Sequence, residues 1–162
     1  MSNQYSFPHA SLILPTLTTL LGLTGLATGV NSLLSSKPID AIRPFGLQAP
    51  SATHPSTNND PLTTALVHAY GIRNLGGALG TLGLTAFWQM QVKGSVAESV
   101  ARRSLGLSML LGTVVGLGDA LLVSRFGEEV GSKVGVEAKK AGFGHGAAAL
   151  IIAAVGSTLL WF

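Results

Sequence analysis

The sequence predicts an all-α fold, namely a four-helix transmembrane bundle with glycine-rich helix packing. Charged residues make up only 10% of the 162 residues and hydrophobic residues 47%, whereas about 25% of a soluble domain is charged. Four continuous apolar runs each have about the 20 residues that a helix needs to cross a bilayer. Helices are favoured over a barrel because the apolar residues of barrel strands alternate. We therefore expect one integral membrane domain over residues 1–162.

Glycine supplies the third observation, because the chain holds 21 glycines and several are four residues apart. This spacing lets helix backbones approach closely in lipid. A phosphate-binding loop is not indicated, since these glycines lie inside apolar runs and not between a strand and a helix. The pairs expected in helix contacts are Gly25 and Gly29, Gly76 and Gly80, and Gly112 and Gly116.

The first predicted helix covers residues 11–34, and no charged side chain precedes Lys37. We expect it to be retained, because it lacks the basic start of a signal peptide and exceeds the length of a signal's apolar segment. The loop that follows, residues 35–61, holds five of the seven prolines. Such a segment is typically irregular, and it would serve as a cap, a lid or a tether.

The second predicted helix covers residues 62–90 and carries a polar face. Tyr70 precedes Arg73 by three residues and Asn74 by four, so the three side chains neighbour one another on a helix. Gly77 continues that face and leaves room beside it.

The third predicted helix covers residues 104–123 and contains a single charge, Asp119. An ionisable group within an apolar span is costly, so it is usually paired, hydrated or functional. The fourth predicted helix covers residues 141–162 and contains His145. Between them, the mixed charges of "GEEVGSKVGVEAKK" predict an interfacial linker.

Basic residues are unequally distributed between the two sides of the predicted bundle. The first and third loops carry six lysines and arginines, and the termini with the second loop carry three. Because cytoplasmic loops are enriched in Lys and Arg, we expect the first and third loops in the cytosol. The expected location is an internal membrane such as the endoplasmic reticulum. Basic residues that flank apolar runs do not indicate nucleic-acid binding.

Polar residues of all four predicted helices fall in the half of the membrane next to the first and third loops. Asp119 would lie about one turn before the end of the third helix, and His145 in the first turn or so of the fourth. This convergence predicts a polar pocket that opens to that side. Its members would be Asn31, Tyr70, Arg73, Asn74, Asp119 and His145.

These side chains make an acid–base set. Asp119 would be the base, Arg73 would orient the carboxylate and keep it ionised, and Tyr70 or His145 would donate a proton to a developing oxyanion. Asn74 and Asn31 would bind substrate.

No metal or cofactor is expected. One His and one Asp are too few ligands for a closed metal site, and the sequence has no cysteine. A Ser/His/Asp catalytic triad is not indicated either, because the sequence has no nucleophile elbow. The alternative is a non-enzymatic membrane protein that binds a lipid or small molecule or scaffolds partner proteins. In that alternative, Arg73 and Asp119 form a structural ion pair.

Three motifs, "YGIRNLGGALG", "GDALLVSRFG" and "GFGHGAAAL", resemble a family of small four-helix integral membrane proteins of unknown function that is common in fungi. The resemblance covers roughly residues 65–160. Some of its members are implicated in epoxide opening in fungal polyketide clusters. The resemblance therefore implies a cofactor-independent epoxide hydrolase or cyclase for a lipophilic, polyketide-like metabolite, with functional positions at Arg73, Asp119 and His145. Expected partners are this substrate and membrane lipid, and a homo-oligomer through the glycine faces is an open alternative.

Overall fold

The computed structural model of the protein describes residues 10–37, 40–41, 43, 61–130 and 132–161. Within these residues the chain is helical and has no strand, which confirms the predicted all-α fold. Most of the proline-rich loop lies outside the described residues, as does the N-terminal segment. The long helices are α1 (Ala10–Leu34), α2 (Pro61–Met90), α3 (Val96–Val130) and α4 (Ser132–Trp161).

The four helices form two hairpins, since α1 packs mainly on α2 and α3 mainly on α4. Glycine closes both hairpins by letting the backbones touch. A Cβ added at Gly29 would lie 2.8 Å from the amide nitrogen of Leu75, and one added at Gly106 would lie 2.7 Å from the carbonyl oxygen of Gly156. No side chain fits at such distances, so each hairpin depends on bare backbone at its interface.

The predicted glycine contacts are confirmed for the pair Gly25 and Gly29, and for Gly116 of a second pair. Gly25 faces Ala78, as expected, and Gly116 faces Ala149. Three further glycines do not pack: a Cβ added at Gly76, Gly80 or Gly112 would meet nothing within 4 Å. The prediction of helix contacts was wrong for these three, because spacing alone does not say which face of a helix meets a neighbour.

Helix α3 begins eight residues before the predicted start and ends seven residues after the predicted end. Ser95 explains the early start, since its hydroxyl oxygen accepts a 3.0 Å hydrogen bond from the backbone N–H of Glu98. This is the usual contact of a serine N-cap. The 35 residues of α3 give a length of about 52 Å, well beyond the roughly 30 Å of a bilayer's hydrocarbon core.

Helix α4 begins at Ser132 and not near residue 141. The predicted interfacial linker is therefore mostly helical, and its described residues complete the hairpin beyond the apolar part. Here Gly127 meets the carbonyl oxygen of Gly135, 2.7 Å from the position of an added Cβ. Nearby, Lys139 Nζ lies 4.0 Å from Glu128 Oε1. Hydropathy marks only the lipid-embedded part of a helix, so the sequence prediction stopped too early.

Within the described part of the chain, three helices are long and apolar enough to cross a membrane, namely α1, α3 and α4. We expected four such spans. Helix α2 has sufficient length, with 30 residues, but Arg73, Asn74 and several glycines make its composition less apolar. The polar face that carries the candidate site therefore also explains why α2 is not among these three candidate spans.

A cluster of buried apolar side chains, called the core below, lies at one end of the helices, where α2 ends and α3 begins. Trp88 of α2 packs there in a cluster with Leu105 of α3 and Leu159 of α4. Arg102 also links α3 to α4 at this end, because its Nη1 donates a hydrogen bond to the carbonyl oxygen of Leu159. Large apolar side chains such as Leu111 are exposed along the helices, as expected of a surface that faces lipid.

Candidate functional site

The two hairpins are joined by an ion pair between α2 and α3. Arg73 Nη2 lies 2.7 Å from Asp119 Oδ2, within the range of a charge-assisted hydrogen bond. The structure thus brings together the two charges that interrupt the apolar runs. Their side chains remain 44% and 24% exposed, so the pair is open on one side and not sealed within the protein.

Tyr70 completes a polar cluster on the same face of α2. The guanidinium carbon of Arg73 lies 5.0 Å from the centre of the Tyr70 ring, which is a cation–π distance. The phenol is also within electrostatic range of Asp119. Asn74 Nδ2 donates a 2.9 Å hydrogen bond to the backbone oxygen of Tyr70, a contact within its own helix.

His145 lies at the level of the ion pair but on a different helix. Gly146 approaches Ala120 of α3, with 3.8 Å between an added Cβ and that of Ala120. The adjacent His145 is therefore level with Asp119. Its side chain is half-buried.

Asn31 of α1 lies in the same layer. A Cβ added at Gly71 of α2 would lie 3.0 Å from the side chains of Ser32 and Leu33, which places Asn31 level with Tyr70. Its residue is exposed. All six predicted site residues therefore share one layer. The ion pair, the cation–π contact and the hydrogen bond from the Asn74 amide link four of them, namely Tyr70, Arg73, Asn74 and Asp119.

The depth of the site differs from the prediction. Asp119 lies eleven residues, about three turns, before the end of α3, and not one turn before it. His145 lies thirteen residues after the start of α4, and not in its first turn. Both differences follow from the extra helical residues beyond the apolar part, which place the site near the middle of these helices.

Three glycines near the ion pair have open space beside them. Gly77 follows Arg73 by one turn, and Gly112 precedes Asp119 by two turns, so each lies on the helix face of its charged neighbour. A Cβ at either glycine, or at Gly80, would meet nothing within 4 Å.

The sequence indicated only one of these three open glycine positions. Gly77 was recognised because it continues the face of Tyr70 and Arg73, whereas Gly80 and Gly112 were assigned to helix packing. The signal for all three was their separation from a charged residue by one or two helical turns. Among the described residues, no group of three or more His, Asp or Glu could hold a metal ion.

Comparison with known proteins gives one family match. The family model described as Domain of unknown function (DUF4267) matches residues 22–159. The match includes all of α2 and α3, the second half of α1, almost all of α4 and the six residues of the candidate site. No curated protein and no solved structure matches the chain.

Proposed function

The chain belongs to the family described as Domain of unknown function (DUF4267), and from its site we propose that it is a membrane-bound epoxide hydrolase or cyclase. In this proposal it uses no cofactor and opens the epoxide of a lipophilic, polyketide-like metabolite by acid–base catalysis. The observation that carries the proposal is the Arg73–Asp119 pair, a carboxylate held at 2.7 Å by a guanidinium yet still partly exposed. The resemblance of the three sequence motifs to proteins implicated in epoxide opening supports the choice of reaction.

Arg73 contacts one oxygen of Asp119, Oδ2, which leaves the other oxygen, Oδ1, to act as the base. In the proposed reaction, Oδ1 takes a proton from a water molecule as the water oxygen attacks an epoxide carbon. The carbon–oxygen bond breaks, and the ring oxygen leaves as an alkoxide. A low-dielectric surrounding strengthens the attraction of Arg73 for the carboxylate, which holds Asp119 in position for the reaction.

The alkoxide receives its proton from the phenol of Tyr70 or from a protonated His145. The proton that Asp119 took from water then returns to that donor, so the products are the diol and the unchanged enzyme. If a hydroxyl of the substrate replaces the water, the same proton transfers give a cyclic ether. Asn74 and Asn31 lie in the same layer and are proposed to bind the polar part of the substrate.

A second candidate function follows from the position of the pair. The hairpins pack closely within themselves but contact each other less extensively, and Arg73–Asp119 joins them far from the core. The pair could then serve only to hold the hairpins together in a non-enzymatic protein that binds a lipid or small molecule, or scaffolds partners. The two functions predict different effects of an isosteric change at Asp119 on epoxide turnover.

The test uses microsomes that carry wild type or Asp119→Asn at matched levels, supplied with a panel of lipophilic epoxides in oxygen-18 water. Loss of a general base should lower turnover by about 10²–10⁴-fold. Glu129→Gln is the control, since Glu129 is an exposed carboxylate near the end of the same helix. Labelled diol would mean hydrolysis, and an unlabelled cyclic ether would mean internal attack. Equal turnover by wild type and Asp119→Asn, or none by wild type, would favour the second candidate.

We also propose that the enzyme lies in an internal membrane such as the endoplasmic reticulum, with the first and third loops in the cytosol. The supporting observation is the excess of lysine and arginine on that side, six residues against three. The extended ends of α3 and α4, which carry several of these charges, would then project into the cytosol.

A further inference from the structure

We propose that the two hairpins form a clamp that pivots at the core and is held shut at its other end by the Arg73–Asp119 pair. We call this pair the latch. When the latch is broken, the hairpins separate at the layer of the candidate site while the core stays closed. The motion itself does not depend on the proposed reaction, whereas its role in admitting a substrate rests on the proposed function.

Each arm of the clamp is one hairpin, and each hairpin is closed by backbone contact. Gly29 of α1 meets the backbone of α2 at Leu75, and Gly106 of α3 meets the backbone of α4 at Gly156. A shift of one helix against the other within a hairpin would break these contacts, which hold helices together in lipid. The hairpins contact each other less extensively than the helices within them do. We therefore expect motion between the hairpins and not within them.

The pivot lies where the chain crosses from one hairpin to the other. The crossing is the second loop, residues 91–95, since the first and third loops each join two helices of the same hairpin. Beside this loop, Trp88 of α2 packs in the core with side chains of α3 and α4. The loop is also tied to α3, because Glu98 accepts a hydrogen bond from the backbone N–H of Gly94 and lies 3.4 Å from Lys93 Nζ. The covalent link, apolar burial and polar contacts therefore all hold this end together.

The opposite end is joined by side chains and not by the chain itself. Arg73 Nη2 and Asp119 Oδ2 meet there at 2.7 Å, and both side chains remain partly exposed. Between the latch and the core, an added Cβ at Gly77 or Gly112 would meet nothing within 4 Å. The neighbouring hairpin therefore does not pack against either position. Once the latch is broken, this end is free to open.

The chemistry of the latch favours the closed state in lipid. In contact, the guanidinium and the carboxylate neutralise each other, whereas apart each is an unpaired charge in an apolar surrounding, which is costly. The clamp therefore stays shut until a hydrogen-bonding group of a substrate replaces one partner. Tyr70 and His145 lie in the same layer as the latch. Opening at this level exposes the candidate site sideways, so a lipid-dissolved molecule reaches it without passing through water.

The test measures distances between nitroxide labels on engineered cysteines, because the natural chain has no cysteine. The full chain is placed in phosphatidylcholine nanodiscs, and double electron–electron resonance gives the distance distribution of each labelled pair. Leu66 on α2 and Leu122 on α3 report on the latch end. Phe87 on α2 and Val100 on α3 report on the pivot end. All four side chains are more than half exposed, so the labels do not disturb packing.

A third pair, Leu122 with Phe143 of α4, reports on distances within one hairpin. Asp119→Asn removes the attraction at the latch, so the latch-end distribution should broaden towards longer distances while the other two pairs stay unchanged. Leu66 lies about 33 Å from Trp88 by the rise of a helix, so a rotation of about 10° at the core moves its label by roughly 6 Å.

Arg73→Gln removes the other charge and should give the same change as Asp119→Asn. The double variant Arg73→Asp with Asp119→Arg restores opposite charges and should restore the narrow latch-end distribution of wild type. Glu129→Gln is the matched control, because Glu129 is an exposed carboxylate near the end of α3. It should change none of the three distributions.

Two outcomes would overturn the inference. One is a latch-end distribution that stays unchanged in both Asp119→Asn and Arg73→Gln. The other is equal broadening of all three pairs, because the hairpins themselves would then have come apart. Turnover separates the clamp from the proposed reaction. Opening in Asp119→Asn with no epoxide turnover by wild type would refute the reaction and retain the clamp. Turnover by wild type without opening in either variant would refute the clamp and retain the reaction.

Discussion

A guanidinium and a carboxylate within apolar helices have few partners other than each other, and this limits what Arg73 and Asp119 can do. Their contact at 2.7 Å neutralises two charges that lipid would not tolerate singly. A purely structural pair would need only opposite signs and this separation. Catalysis would in addition require the carboxylate on α3 and the phenol of Tyr70 in fixed positions. Structure and reaction therefore make different demands on the same two residues.

A charge swap separates these demands. The single variants Arg73→Asp and Asp119→Arg should each lose thermal stability, since each leaves two like charges facing one another. The double variant restores opposite charges and should recover most of the melting temperature in detergent, measured by differential scanning fluorimetry. It should not recover epoxide turnover, because the base is then displaced to α2. Recovery of both stability and turnover would contradict the assignment of Asp119 as the base.

The glycines show at the scale of the helix why each hairpin forms. Within a hairpin the small residues meet backbone, as Gly106 meets Gly156, and the close approach replaces the hydrophobic driving force that helices lack in lipid. Other glycines, such as Gly77 and Gly112, have only open space beside them. One residue type thus supports packing in one place and leaves an exposed backbone in another, depending on which face of the helix it occupies.

Alanine substitution at glycines should distinguish these two environments. Gly106→Ala places a methyl group 2.7 Å from the Gly156 carbonyl oxygen, and the forced shift should destabilise the fold by about 1–3 kcal/mol. Gly83→Ala meets nothing within 4 Å and should be neutral or stabilise the helix by about 0.5–1 kcal/mol. Melting temperatures of the two variants in the same detergent measure this difference. Equal loss in both would mean that the α3–α4 interface is not held by backbone contact.

The number of helices and the Arg73–Asp119 contact could be predicted from the sequence because both depend on local chemistry. Apolar runs mark helices in lipid, and two opposite charges within such runs are expected to pair. Helix ends and glycine environments could not be predicted in the same way. Helix α3 continues past its apolar part, where hydropathy gives no signal. Whether Gly112 packs or faces a gap depends on the rotation of α3 against α2, which the one-dimensional spacing does not contain.

At the scale of the whole molecule, two glycine-closed hairpins meet at a core on one side and at an ion pair further along. The end of α1, the start of α2, the end of α3 and the start of α4 lie on the side away from the core. The second loop, between α2 and α3, lies beside the core. The proposed orientation would therefore place the entire end of the bundle away from the core, with its excess of basic residues, in the cytosol.

This orientation can be measured directly because the chain has no cysteine. Glu129→Cys, at the exposed end of α3, should react with a membrane-impermeant maleimide added from the cytosolic side of sealed microsomes. Val92→Cys, in the exposed second loop, should react only after the membrane is permeabilised. Both variants should react equally in detergent, which controls for intrinsic reactivity. The reverse pattern in sealed vesicles would contradict the predicted orientation.

The separation of Arg73 from its counter-ion along the chain has a consequence for biogenesis. Asp119 is 46 residues further on, so α2 leaves the ribosome while its charge has no partner. An arginine at the centre of a helix costs about 2.5–3.5 kcal/mol on the scale of translocon insertion, and α2 is not among the described helices that are apolar enough to cross a membrane. We therefore expect stable integration of α2 to wait until α3 has been synthesised. The second helix would then settle in the bilayer only together with the third.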